Sequence, residues 1–230
     1  MPSAFDQSTY QVRLDWGVEG LERLAPADVV VVVDVLRFSS SVADAVASGT
    51  TVALDDAVTW SRNGAAVAAR ARDDSRAAQA GTGAAPVVLV GSLRNASAVA
   101  RAVATLQERR QARTSVAVIA AGEADASGIL RFAVEDQLGA GAVISALTDL
   151  GIDHTAPDAA VAAEGFRALS RALRHLIGAS GSARELAEGV AATDRMRAAG
   201  VVPTSTAEAA EVDALDVVPI LREGVFVAFE

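Results

Sequence analysis

The sequence predicts a single α/β domain on a mostly parallel or mixed sheet, and three observations predict it. Short β-branched runs alternate with longer Ala-rich helical stretches along the chain, which is the pattern of βα units. The run "DVVVVVD", residues 28–34, is apolar at successive positions, as a central strand covered on both faces requires. The 230 residues, 51% of them hydrophobic, suffice for a substantial core.

The β-branched runs place strands near Tyr10–Leu14, Val29–Asp34, Thr51–Leu54, Val87–Val90 and Val116–Ala120. Helices follow over 39–48, 95–110, 133–150 and 158–177, where Ala-rich periodic segments run long enough. "SARE" at 182–185 and "STAE" at 205–208 fit the Ser-x-x-Glu capping box and predict two more helix starts. A hairpin of Val217–Leu221 and Val225–Phe229 closes the chain around Arg222-Glu223-Gly224. "AAQAGTGAA", Ala77–Ala85, reads as a surface loop, and no Pro/Ser-rich linker divides residues 1–230.

Composition narrows the function. The net charge of −9 argues against a nucleic-acid surface, and a small ligand is the better expectation. No apolar run approaches the ~20 residues of a membrane span, and no basic segment followed by an apolar one opens the chain; a cytoplasmic protein is expected. Cysteine is absent, which excludes thiol catalysis and thiolate metal sites. All 20 basic residues are Arg, so an anion must be held by Arg or by backbone amides. His154 and His175 form no metal motif and read as structural.

One stretch comes back. "VVVVDVLRFSSSVADAVA", residues 30–47, matches "VVLVGSLRNASAVARAVA", residues 87–104, at 11 of 18 positions, eight of them Val or Ala. Leu36-Arg37 falls on Leu93-Arg94 and Ser40 on Ser97, where a strand hands over to a helix, so two pseudo-repeated halves are one reading and two ordinary βα turns the other. A helix start presents unpaired N–H groups and the positive end of a dipole, and Arg37 and Arg94 would add charge-assisted bonds to phosphate or sulfonate oxygens. Two such turns side by side would aim Ser39, Ser40 and Ser41 and the Arg94 turn at one crevice. Asp34 ends the first strand where Gly91 ends the second. A carboxylate there is placed for a hard cation, and the glycine would leave room for the ligand. Glu135 and Asp136 form a second acidic pair, either complementing a helix dipole or completing with Asp34 an oxygen-ligand set for Mg²⁺.

"VVVVDVLRFSSSVADAVASG", "VGSLRNASAVA" and "VIAAGEADASGILRFAVEDQLGAGAVI", in that order, resemble the 2-phosphosulfolactate phosphatase family, with motifs Asp-x-Leu-Arg-Ala-[ST], Gly-Ser-x-x-Asn and an acidic pair after Ala-Gly. The resemblance runs, with gaps, from about residue 28 to the C-terminus, where "GSARELAEGVAATDRMRAAGVVP" and "DVVPIL" echo the family. It implies a three-layer α/β/α fold with the site between two halves, and a Mg²⁺-dependent phosphatase that releases phosphate from 2-phospho-3-sulfolactate, a step toward coenzyme M. It also implies Asp34, Arg37 and Asn95 as catalytic residues. Asp34, Glu135 and Asp136 become metal ligands, and Gly91, Ser92 and Arg94 substrate contacts beside Ser39–Ser41.

The chain departs from the family pattern: Gly-Glu-Arg and Asn-Ser-Pro segments are missing between Asp56 and Val87, and Phe38 and Ser39 replace the usual Ala and Thr. "SRNGA", residues 61–65, is the one remnant of a Thr-Asn-Gly-Thr motif; it nominates Asn63 and Gly64 as ligand contacts, or marks a plain helix start. The alternative function is a family member without catalysis, serving as a small-anion binder or dimeric scaffold, and the apolar character admits a homodimer. A nucleotide-binding enzyme is disfavoured, since neither Gly-x-Gly-x-x-Gly nor a P-loop occurs.

Overall fold

Five consecutive valines, Val29–Val33, form strand β2 inside a seven-stranded sheet, and all five are buried. This computed structural model of the protein describes residues 3–74, 85–124 and 127–230, so most of the loop expected over 77–85 lies outside the described residues. The other strands are β1 (Val12–Trp16), β3 (Val52–Ala53), β4 (Val87–Gly91), β5 (Val116–Ala120), β8 (Pro219–Arg222) and β9 (Val225–Ala228); β6 (Glu123–Ala124) and β7 (Leu130–Arg131) pair separately. The order is β1-β5-β2-β4-β8-β9-β3. The first four strands run parallel, and β8, β9 and β3 add antiparallel pairs.

Alternation along β2 sorts the core into two layers. Val29, Val31 and Val33 pack with helices α5 (Ala96–Arg110), α6 (Val134–Asp149) and α7 (Pro157–Leu169). Val30 and Val32 face the opposite layer, with α2 (Phe38–Ala47), α3 (Leu54–Trp60) and α4 (Gly64–Arg72). The remaining helices are short: α1 (Gly17–Arg23), α8 (Leu173–Gly178), α9 (Gly181–Glu188), α10 (Ala191–Ala198) and α11 (Thr206–Ala209). Helices α6 and α7 approach so closely that a Cβ on Gly141 would lie 2.2 Å from the Ala162 carbonyl oxygen. Among the described residues no helix is long and apolar enough to cross a membrane.

Several expectations shift. The long helix expected over 158–177 breaks at Ser170, whose hydroxyl bonds the Arg167 carbonyl while residues 170–172 tighten into a 3₁₀ turn. The helix at "SARE" starts two residues early, because the Ser180 hydroxyl accepts from the Ala183 N–H. "STAE" forms the expected capping box, Ser205 with Glu208. The closing hairpin forms around Glu223-Gly224, both at positive φ, as a two-residue turn of the type that matches strand twist requires.

Of the repeated turns, only the first lines the cleft that opens at Asp34. Strands β2 and β4 are neighbours, but α2 packs on one face of the sheet and α5 on the other. Their register pairs Val33 with Gly91, so the next residue, Asp34, stands level with Ser92, one position off the sequence match.

Candidate active site

Asp34 follows the last residue of β2 and sits at the carboxyl end of the parallel strands, where open α/β sheets bind ligands. Its backbone is fixed first: the Asp34 N–H donates to Ser39 Oγ at 2.9 Å, and Ser39 Oγ donates on to the Val32 carbonyl at 3.1 Å. Its carboxylate is then held by two backbone donors, the Phe38 N–H on Oδ1 at 3.2 Å and the Gly64 N–H on Oδ2 at 3.0 Å. The second bond needs a glycine. A Cβ at position 64 would lie 2.5 Å from Phe38 Cδ1 and 2.7 Å from Asp34 Oδ2. Burial pushes the Asp34 carboxyl up to about 7, with the charges of Glu123 and Glu135 adding and the two N–H bonds opposing.

Three more carboxyl groups surround it. Asp136, in the first turn of α6, accepts from the Val35 N–H at 2.7 Å and the Gly122 N–H at 2.9 Å, tying the ends of β2 and β5 together. Burial, then Asp34 and Glu135, raise Asp136 well above the ordinary carboxylate range. Glu135 is 2% exposed and has no hydrogen-bond partner among the described residues. Glu123, beyond β5, is raised by burial and by Glu185, while Arg131 and the Asn63 side-chain amide hold it down. Among the described residues no three acidic or histidine side chains stand as a ready-made metal cluster.

A cleft of about 260 Å³ opens at Asp34. Its walls come from α3 and the Ser61-Arg62-Asn63 link on one side and from α9 and α10 on the other, with Glu123 between. Arg37, half-buried, reaches across to Thr193 Oγ1, and Arg195 donates Nε to the Thr59 carbonyl at 2.6 Å. Burial and Arg197 lower the Arg37 guanidinium, while Asp34 opposes them. A second cavity of about 230 Å³ shares Glu123 and Ser182 with the cleft and is lined by Glu135, Arg131 and Arg184.

Of the sequence-nominated residues, the structure brings Asp34, Arg37, Asn63 and Gly64 to the cleft. It brings Glu135 and Asp136 close enough to act on Asp34 electrostatically. Arg94 lies elsewhere: its guanidinium is engaged by Asp44 at 2.9 Å, Glu211 at 3.1 Å and the Glu208 carbonyl at 2.6 Å. Asn95 is fully buried, accepting from the Ser92 N–H and donating to the Val90 and Val217 carbonyls, so Asn95 and Ser92 fasten the β4 turn. Ser40 and Ser41 are likewise occupied, by the Val35 carbonyl and the Thr204 N–H. The Ser39 N–H donates to the Asp34 carbonyl and the Ser41 N–H to that of Arg37, which closes that end of the anion-binding expectation. Nor does Gly91 leave room for a ligand. A Cβ there would meet Val31 at 2.8 Å and Val143 at 3.3 Å, so it is a packing glycine.

The reading of the sequence missed Glu123, although it is a carboxylate just past a strand's carboxyl end, the same signal that singles out Asp34. Trp60 and Ser182 carry no such signal. A profile described as 2-phosphosulpholactate phosphatase matches residues 59–224, which includes Asn63, Gly64, Glu123, Glu135 and Asp136 and begins after Asp34 and Arg37. A search of curated proteins found no match. With a match over well more than half its length, the chain belongs to the 2-phosphosulpholactate phosphatase family.

Proposed function

We propose that the chain is a Mg²⁺-dependent phosphatase of small phosphorylated hydroxy acids such as 2-phosphosulfolactate, acting at the Asp34 cleft. One observation carries the reading: a buried carboxylate at the end of a central strand opens into a small cleft that also holds arginines, within a chain of a phosphatase family.

The residues suit a hydrated divalent cation. Mg²⁺ commonly takes one or two carboxylates and keeps several waters, so no closed cage is required. Asp34 sits close enough to Glu123 and Glu135 for their charges to raise its pKa, an arrangement that a cation would relieve. Asp34 with Glu123 or Glu135 would hold it; Asp136, whose two oxygens tie β2 to β5, positions the others. When bound, the ion would supply charge neutralisation at the phosphoryl oxygens. The Phe38 and Gly64 N–H groups hold the Asp34 carboxylate in one orientation. Arg37 adds a cation beside it, and residues of α9 and α10 line the cleft.

A second reading, binding or scaffolding without turnover, draws on one observation: both oxygens of Asp34 and of Asp136 already accept backbone bonds. A cytoplasmic location fits the phosphatase reading, and a homodimer fits the exposed Phe132 and Val161 beside Trp16. The test is phosphate release from a panel of monoesters, including 2-phosphosulfolactate and phospholactate, with Mg²⁺ and with chelator. Mg²⁺-dependent release from a phosphorylated hydroxy acid is the expected result; a folded protein that hydrolyses none of them supports the second reading.

A further inference from the structure

The cleft contains donors that the protein leaves unpaired. The indole N–H of Trp60, in a side chain 4% exposed, is buried with no hydrogen-bond partner. The hydroxyl of Ser182, a residue 6% exposed, has no partner among the described residues, nor does the guanidinium of Arg62. All three side chains line the same cleft. Buried polar groups are nearly always satisfied, so the Trp60 N–H calls for an acceptor that comes from outside the chain, and the Ser182 hydroxyl and the exposed Arg62 guanidinium line the same cleft with donors that no described protein group takes up.

The contrast with the neighbouring cations is specific. Arg37 is anchored on Thr193 and Arg195 on the Thr59 carbonyl. Arg62 stands in the short link between α3 and α4, which Ser61 braces by accepting from the Ala65 N–H. Trp60 ends α3 and is held against Phe38, ring centres 5.8 Å apart. Ser182 comes from α9 on the facing wall. Asp34, Glu123 and Glu185 also line the cleft. An anion there must therefore be held against nearby carboxylates, which two neutral donors alone cannot do; a free guanidinium can.

We propose that Trp60, Arg62 and Ser182 form an oxyanion-binding wall that takes the phosphoryl oxygens of a phosphate monoester, an assignment that rests on the phosphatase reading and names the residues of its substrate grip. The wall is tested with inorganic phosphate as the probe. The chain has two tryptophans, so Trp16→Phe leaves Trp60 as the sole indole reporter. In that background phosphate is expected to change Trp60 emission saturably. Arg62→Met should raise the phosphate Kd about tenfold or more, and Ser182→Ala by a smaller factor, about threefold, as the loss of a charged and a neutral hydrogen bond respectively predicts. Both variants remove groups without protein partners, so circular dichroism should report an unchanged fold. An unchanged Kd in Arg62→Met, or no phosphate binding by the parent protein, overturns the wall. The two readings fail separately. Arg62-dependent phosphate binding in a protein that hydrolyses no ester keeps the wall and removes the phosphatase. Turnover with the same product-inhibition constant in Arg62→Met keeps the phosphatase and removes the wall.

Discussion

In chelator, the stability of this protein is predicted to fall as pH rises from 5 to 8, and Asp34 is a source whose size can be worked out. Its carboxyl ionises at 3.8 in the unfolded chain and is pushed up to about 7 in the folded one. The folded state therefore binds this proton more tightly than the unfolded state. The resulting stability is fully present below pH 3.8 and is lost as pH rises to about 7. For a fully buried group the whole effect is about 4 kcal/mol, of which about 3 kcal/mol falls between pH 5 and 8. Asp136 and Glu123, also raised by burial and like charges, push the same way. The lowered carboxyls Asp6, Asp73 and Glu208 act in the opposite sense but below this window, as pH falls through their depressed values. The assay is urea unfolding followed by circular dichroism in chelator. With a urea slope of about 2–3 kcal/mol/M, the midpoint should drop by about 1 M from pH 5 to 8. Mg²⁺ at pH 8 should recover part of the loss. In Asp34→Asn the profile should flatten, from a pH 5 value lowered by about 1–3 kcal/mol because an amide cannot accept from both Phe38 and Gly64. A midpoint that is flat or rises from pH 5 to 8 in the parent protein refutes the reasoning.

Three further outcomes follow from close packing and buried charge. Gly64→Ala should cost about 1–3 kcal/mol and lower turnover, since its Cβ displaces Phe38 or the Asp34 carboxylate; thermal melting and phosphate release measured together check it. Gly141→Ala should destabilise by a similar or larger amount, because the obstructing atom is a backbone oxygen of α7, and its effect should appear in melting temperature. Arg94→Met should cost about 1–3 kcal/mol, below the range for a fully buried pair because Glu211 is 45% exposed, as denaturant titration would show.

Much of the fold is legible locally. Val116–Ala120 and the hairpin about Glu223-Gly224 follow from apolar runs and turn chemistry that need no distant partner. The short helices α1, α3 and α10 are not legible in the same way, since tertiary packing, not propensity, stabilises segments of this length; the start of α4 is readable as one alternative at residues 61–65. The site divides similarly. Asp34 and Gly64 are readable because a strand end and a glycine-containing link are local signals, and the structure joins them by one hydrogen bond. Arg94 misleads because its partners Asp44 and Glu211 lie far along the chain in opposite directions. The sequence pattern of Arg37 and Arg94 is alike, but the face on which the next helix packs differs, and that is decided by the sheet. Trp60 and Ser182 come to line one cleft only when the chain beyond residue 180 folds back and α10 packs on α3, so nothing local announces them.

The most direct test of the central claim compares phosphate release by the parent protein, Asp34→Asn and Arg94→Met with Mg²⁺ and a phosphorylated hydroxy acid. Release that Asp34→Asn abolishes while still folded, and that Arg94→Met retains, is the predicted result. Undiminished release by Asp34→Asn, or its loss in folded Arg94→Met alone, would contradict a site centred on the end of β2.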